Sequence, residues 1–170
     1  MNAKTRRLTM LIAVVLTIGF FSEQQAGAQS PYSSCKKLTA SSVGSFNPAT
    51  GSVSGPLTNG GILNGTLEDV INFGAGFVFT PDPTVISYTT NLTITTLWGQ
   101  LKASTVNTQS VVTAAGAEWG YINPDTSTGK FSGATGLIFI RFKPVGDPAV
   151  GPFESEISAD ICFAPHSDLL

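Results

Sequence analysis

The sequence predicts an all-β chain folded as an eight-stranded antiparallel barrel, and three observations predict it. From Leu38 onward the residues are mostly Thr, Ser, Val, Ile, Phe and Gly, with little Ala-Glu-Lys-Leu helix chemistry and no window of 3.6-residue amphipathicity. Clusters such as "NPATGSVSG", "TNGG", "TPDP", "NPDTSTGKFSG" and "PVGDPAVGP" cut the chain into short segments, as turn residues do. Between them, apolar and polar residues alternate with a period of two, the mark of strands with one buried face. Closure into a barrel removes the exposed strand edges that such a chain otherwise carries; an open β-sandwich is the alternative.

The first two strands are expected near Leu38–Val43 and Gly51–Leu57, bracketed by turn clusters. The third, Ile62–Phe73, places Leu63, Leu67, Ile71 and Phe73 on one face with Asp69, and Glu68 on the other; a bulge at Gly65 would shift that register. In the fourth, Thr84–Trp98, residues Ile86, Tyr88, Leu92, Ile94 and Trp98 share a face. Gln100–Val106 follows through a turn at Gly99 as its hairpin partner. Ala117–Ile122 comes next, and then Gly136–Phe142, whose "LIFIRF" is apolar on both faces. A strand buried on both sides needs a second layer, here a loop or another subunit. The last strand, Phe153–Phe163, sets Phe153, Ile157, Ala159, Ile161 and Phe163 against Glu154, Glu156, Ser158 and Asp160.

The segment before these strands reads as an export leader. Lys4, Arg6 and Arg7 precede an apolar run from Leu8 to Phe21, and Ala26-Gly27-Ala28 forms a small-x-small cleavage site. The run is shorter than the ~20 residues a spanning helix needs. Residues 1–28 are therefore expected to be a cleaved signal peptide, and residues 29–170 one secreted or periplasmic domain with no membrane span. Past the leader, 6 basic residues face 10 acidic ones, and Lys36-Lys37 is the one basic cluster. A nucleic-acid partner needs a concentrated positive footprint, so that class is excluded.

Cys35 and Cys162 both lie beyond the leader, and in an exported chain two cysteines are most simply one disulfide. Chain-entropy arithmetic assigns so long a loop roughly 4–5 kcal/mol. Two cysteines and the single His166, in the polar tail, make no metal site, and no cofactor motif is present. The glycine-rich "GKFSGATG" is not a phosphate loop: Phe131 stands where Ser or Thr is required, Pro124 where the first glycine is, and a β-type run follows. It reads as a turn opening a strand.

That segment also carries a resemblance. "TGKFSGATGLIFI" (Thr128–Ile140), preceded by "GAEWGYI" and by the hairpin "VISYTTNLTITTLWGQLKAS", resembles the allene oxide cyclase barrel-like and dirigent-like superfamily, especially secreted bacterial members with a "GTGxFxGATGxLxI" segment. The likeness spans roughly Gly51 to Phe163. It implies a calycin-like eight-stranded barrel and, as in many plant members, a homotrimer, which would supply the outer layer for "LIFIRF". The usual "GGTG" is here "DTSTG", and no catalytic position of the family is carried over.

No nucleophile–base pair and no G-x-S-x-G elbow is legible, so the reading favours a non-enzymatic role. Carboxylates are the remaining acid/base candidates. Asp69 in its apolar row would be desolvated, with its pKa raised, as suits a ligand anchor or general acid. Glu118, Trp119 and Tyr121 precede the glycine loop, and the aromatics would either line a cavity or fill a core. With Tyr88 and Trp98 these complete the expected ligand-binding set, its ligand a small apolar or amphipathic molecule. A dirigent- or cyclase-type barrel guiding ring closure of a reactive intermediate is the alternative, and a structural envelope protein with a filled barrel is a third reading. Acids pointing into a cavity would favour the second; a filled interior would remove the first two.

Overall fold

The structure, a computed structural model, describes residues 34–147 and 151–165. The leader expected over residues 1–28 and the tail histidine His166 lie outside the described residues. The described residues form nine strands in order: β1 Ser34–Asn47, β2 Ser52–Thr58, β3 Gly65–Ile71, β4 Phe77–Phe79, β5 Val85–Thr96, β6 Gly99–Ser110, β7 Gly116–Ile122, β8 Thr135–Pro144 and β9 Phe153–Phe163. Short 3-10 turns at Gly61–Leu63, Phe73–Ala75 and Gly129–Phe131 join some of them, and no α-helix occurs among the described residues.

All pairings are antiparallel, in the order β3-β2-β1-β9-β8-β7-β6-β5-β4, and a further β3–β5 pairing closes the sheet. The result is the eight-stranded barrel the alternation predicts, with β4 as an extra strand. Each of the eight expected strands is present, and the open sandwich is not formed. β4 continues the line of β3 along β5: β3 pairs with Thr90–Thr96 and β4 with Ile86–Tyr88. The expected third strand ends early, because Phe73 leaves the ladder in a 3-10 turn and lays its ring against Gly51, where a Cβ would stand 2.3 Å from it.

The two ends of the barrel differ. One end, where the β2–β3, β5–β6 and β7–β8 connections lie, is filled. Leu63, Leu101, Phe131 and Ile161 are fully buried there, and Phe131 comes from the glycine-rich loop itself. That loop docks on the β5–β6 turn, with Lys130 N–H donating to Trp98 O and Thr128 N–H to Gln100 O, each at 2.8 Å. Gly129 has φ +62°, and a Cβ there would stand 2.1 Å from Trp98 O, so the close approach requires glycine. The turn reading of "GKFSG" holds, and its physical purpose is to insert an aromatic plug.

Cys35 and Cys162 form a disulfide across directly opposed positions of β1 and β9, with a sequence separation of 127. It is compatible with an oxidising, exported location. On the outer surface, Leu137 and Phe139 of β8 lie opposite Tyr121 and Trp119 of β7, and all four are exposed. No loop among the described residues covers them.

Candidate functional site

At the other end, where the β1–β2, β6–β7 and β8–β9 connections lie, the interior opens into a cavity of about 260 Å³. Its wall is mainly apolar and includes Phe46, Val53, Leu67, Ile140, Phe142 and Phe153. Period two aims alternate residues of every strand inward. In the middle of the barrel those positions are polar: Thr90, Thr105, Asn107 and Glu118 are all buried, Glu118 at 3 % exposure. Above this layer lies the cavity; below it lies the plugged core.

Register brings the polar layer together. Thr90 pairs with Thr105 across β5–β6, and Asn107 with Glu118 across β6–β7. Thr90 Oγ1 donates to Glu118 Oε1 at 3.1 Å and also contacts Thr105 Oγ1, whose hydroxyl donates to Thr90 O at 3.2 Å. Asp69, from β3 on the far side of β5 and β6, comes close to both Glu118 and Thr90. Nearer the mouth, Tyr88 Oη donates to Gln109 Oε1 at 2.6 Å, and Gln109 Nε2 to Ala114 O at 3.1 Å, which ties the β6–β7 turn to the cavity wall.

The electrostatics follow from this burial. Desolvation pushes the Asp69 carboxyl well above its ordinary range, and the neighbouring charge of Glu118 adds to the rise. Desolvation also raises Glu118, and its polar neighbours Thr105, Asp69 and Thr90, the last of them donating to Oε1, hold the rise down. Both carboxyls therefore favour the protonated form more than free carboxyls do, Asp69 the more strongly. Tyr88 is raised by burial and then by the two acids, and stays a neutral phenol. Among the described residues four buried side-chain oxygens have no partner, and two of them, Asp69 Oδ1 and Asn107 Oδ1, belong to residues of the cavity wall. Such buried orphans are costly, on the order of 1–3 kcal/mol each, unless something brings them a donor.

Of the expected site residues, Asp69, Tyr88 and Glu118 line the cavity together. Trp119 and Tyr121 do not. They alternate with Glu118 on β7, so an inward Glu118 forces them outward, at 49 % and 63 % exposure. Trp98 does not either: alternation stops at Thr96, and Leu97-Trp98 is the β5–β6 turn at the plugged end. There Lys130 Nζ sits 4.4 Å above the Trp98 ring, a cation–π contact. The sequence reading missed Thr90, Asn107 and Gln109. Thr90 falls between Tyr88 and Leu92 in the inward row, a signal that was available; Asn107 and Gln109 fall past the expected strand end at Val106, whereas β6 runs on to Ser110.

Among the described residues no group of three or more His, Cys, Asp or Glu is placed to hold a metal ion. Comparison of the chain with protein-family models, with curated proteins and with solved structures yields no match, so the reading of this site rests on its own geometry.

Proposed function

We propose that the protein is an exported barrel that takes a small, largely apolar molecule into its open end and anchors one polar group of it on the buried layer. One observation carries this reading: a cavity of about 260 Å³ with apolar walls ends on two buried acceptors that lack donors. A largely preformed apolar cleft with a few convergent polar groups is the usual form of a small-molecule site, and this volume is near the small end of that range. Exposed Phe73, Val111 and Val112 lie on connections at the same end, with exposed Phe77 on β4 beside Phe73, and offer an apolar approach. Export is supported by the basic, apolar and small-residue pattern of residues 1–28, together with the disulfide.

A second reading is favoured by a specific feature, the paired acids in the cavity. A dirigent- or cyclase-type barrel steers a reactive intermediate by shape, water exclusion and one or two proton-handling groups. The glycine-loop resemblance and the two facing acids, Asp69 and Glu118, support that reading. Both readings need an occupant. Native mass spectrometry of the exported protein should detect a co-purifying or added small molecule, and Ser155→Trp, which fills the cavity from β9, should abolish its binding. Undiminished binding by that variant would remove the cavity from both.

A further inference from the structure

We propose that the polar group recognised in the cavity is a protonated amine, carried on a small aromatic or aliphatic body. This rests on the binding reading above and names the ligand class.

The charge inventory is one-sided. Asp69 from β3, Glu118 from β7 and Tyr88 from β5 are the titratable groups facing the polar layer, and all three are acids. The surrounding β1, β2, β6, β8 and β9 contribute only neutral side chains to the cavity wall; among the described residues no Lys, Arg or His stands in it. A low-dielectric chamber with acids and no internal counter-charge is complementary to a cation.

Hydrogen bonding leads to the same chemistry. Asp69 Oδ1 and Asn107 Oδ1 both await a donor, and Asn107 is 3 % exposed and lines the cavity. An ammonium presents three donors and no acceptor, which suits these two oxygens and the Glu118 carboxylate. An alcohol brings a single donor, and a carboxylate ligand would add a third acid to the chamber. The aromatic side chains of Phe46, Tyr88, Phe142 and Phe153 in the wall accept the apolar body and add cation–π attraction. Once an ammonium is seated, its charge favours the fully ionised acid pair. Burial favours the protonated acids and a seated ammonium the ionised ones, so binding releases a proton to solvent; no bond other than that O–H is broken.

The test uses the intact, disulfide-bonded protein and three probes of matched shape: 2-phenylethylamine, 2-phenylethanol and phenylacetate. Calorimetry at neutral pH should give the amine an affinity at least about tenfold above the alcohol, as charge-assisted bonds imply. Phenylacetate should not bind. Heats in buffers of different ionisation enthalpy should reveal net proton release for the amine alone. Glu118→Gln and Asp69→Asn, checked for folding by circular dichroism, should remove the amine's advantage over the alcohol. An alcohol that binds as tightly as the amine, or amine binding without proton release, overturns the amine assignment while the cavity reading stands. Absence of binding by all three overturns both. Should a variant not fold, the wild-type comparison and the proton count still decide.

Discussion

Asp69 and Glu118 face each other inside the barrel although β5 and β6 separate their strands. The contact exists because the β3–β5 pairing closes the sheet and both side chains fall on inward positions. Neither acid has a basic partner there, so the pair is kept at the expense of stability when ionised.

That relationship sets the pH dependence of folding. Both folded-state pKa values are raised above their unfolded values. The stabilisation this gives is fully present below the unfolded carboxylate range and is lost as pH rises through the folded values. Each tenfold gain in proton affinity is equivalent to about 1.4 kcal/mol. Asp82, lowered by Thr84, acts in the opposite sense and only toward acid pH. Urea unfolding should therefore show greater stability at pH 5 than at pH 8. Glu118→Gln, which keeps an acceptor for Thr90 and removes the charge, should flatten that difference and raise stability at pH 8 by roughly 1–2 kcal/mol.

The disulfide makes a separate prediction. Cys35 and Cys162 tie the first described strand to the last at the plugged end. The double Cys→Ser variant should lose about 2–5 kcal/mol and melt at a lower temperature in non-reducing buffer. Equal melting temperatures for variant and wild type would show that the bridge adds nothing to the folded state.

The fold was legible because barrel burial is local in sequence: period-two alternation in β5 and β9 directly reports which side chains face inward. Asp69 was legible for the same reason, sitting in the row of Leu67 and Ile71. Glu118 was singled out together with Trp119 and Tyr121, but one strand cannot aim adjacent residues at one cavity. Aromatic bulk suggested an interior position where period two dictated an exterior one. Trp98 shows the opposite failure, an alternation extended through a turn whose Gly99 has φ +127°. Which end of the barrel stays open depends on Phe131 folding back from the loop. That is a tertiary choice with no periodic signature.

Phe131 is accordingly the residue on which closure of the filled end depends. Fully buried, with its ring centroid 6.1 Å from that of Phe163, it plugs the barrel against solvent. Phe131→Ala should lower unfolding free energy by about 3–5 kcal/mol, read as an earlier urea midpoint. Phe131→Leu should recover most of the loss, since it restores apolar volume without asking the loop to move.

The outer face of β7 and β8 leads to the last prediction. Trp119 faces Phe139 and Tyr121 faces Leu137, and the Trp119 and Tyr121 rings meet edge to face at 6.2 Å. Four adjacent large apolar side chains in open solvent form a contiguous patch, a feature that marks association sites. The exterior row of β9 is polar there, with Ser158 opposite Phe139 and Asp160 opposite Leu137, while on β6 Val106 lies opposite Trp119, so the patch has an apolar centre and a hydrophilic flank on the β9 side, as an interface does. A second copy of the chain is the occupant the sequence reading expects, in a trimer. Native mass spectrometry of the wild type should then show mass multiples. The pair Trp119→Lys and Phe139→Glu should give monomers, with the cavity and its ligand affinity intact. A wild-type protein that is monomeric at micromolar concentration would exclude self-association through this face.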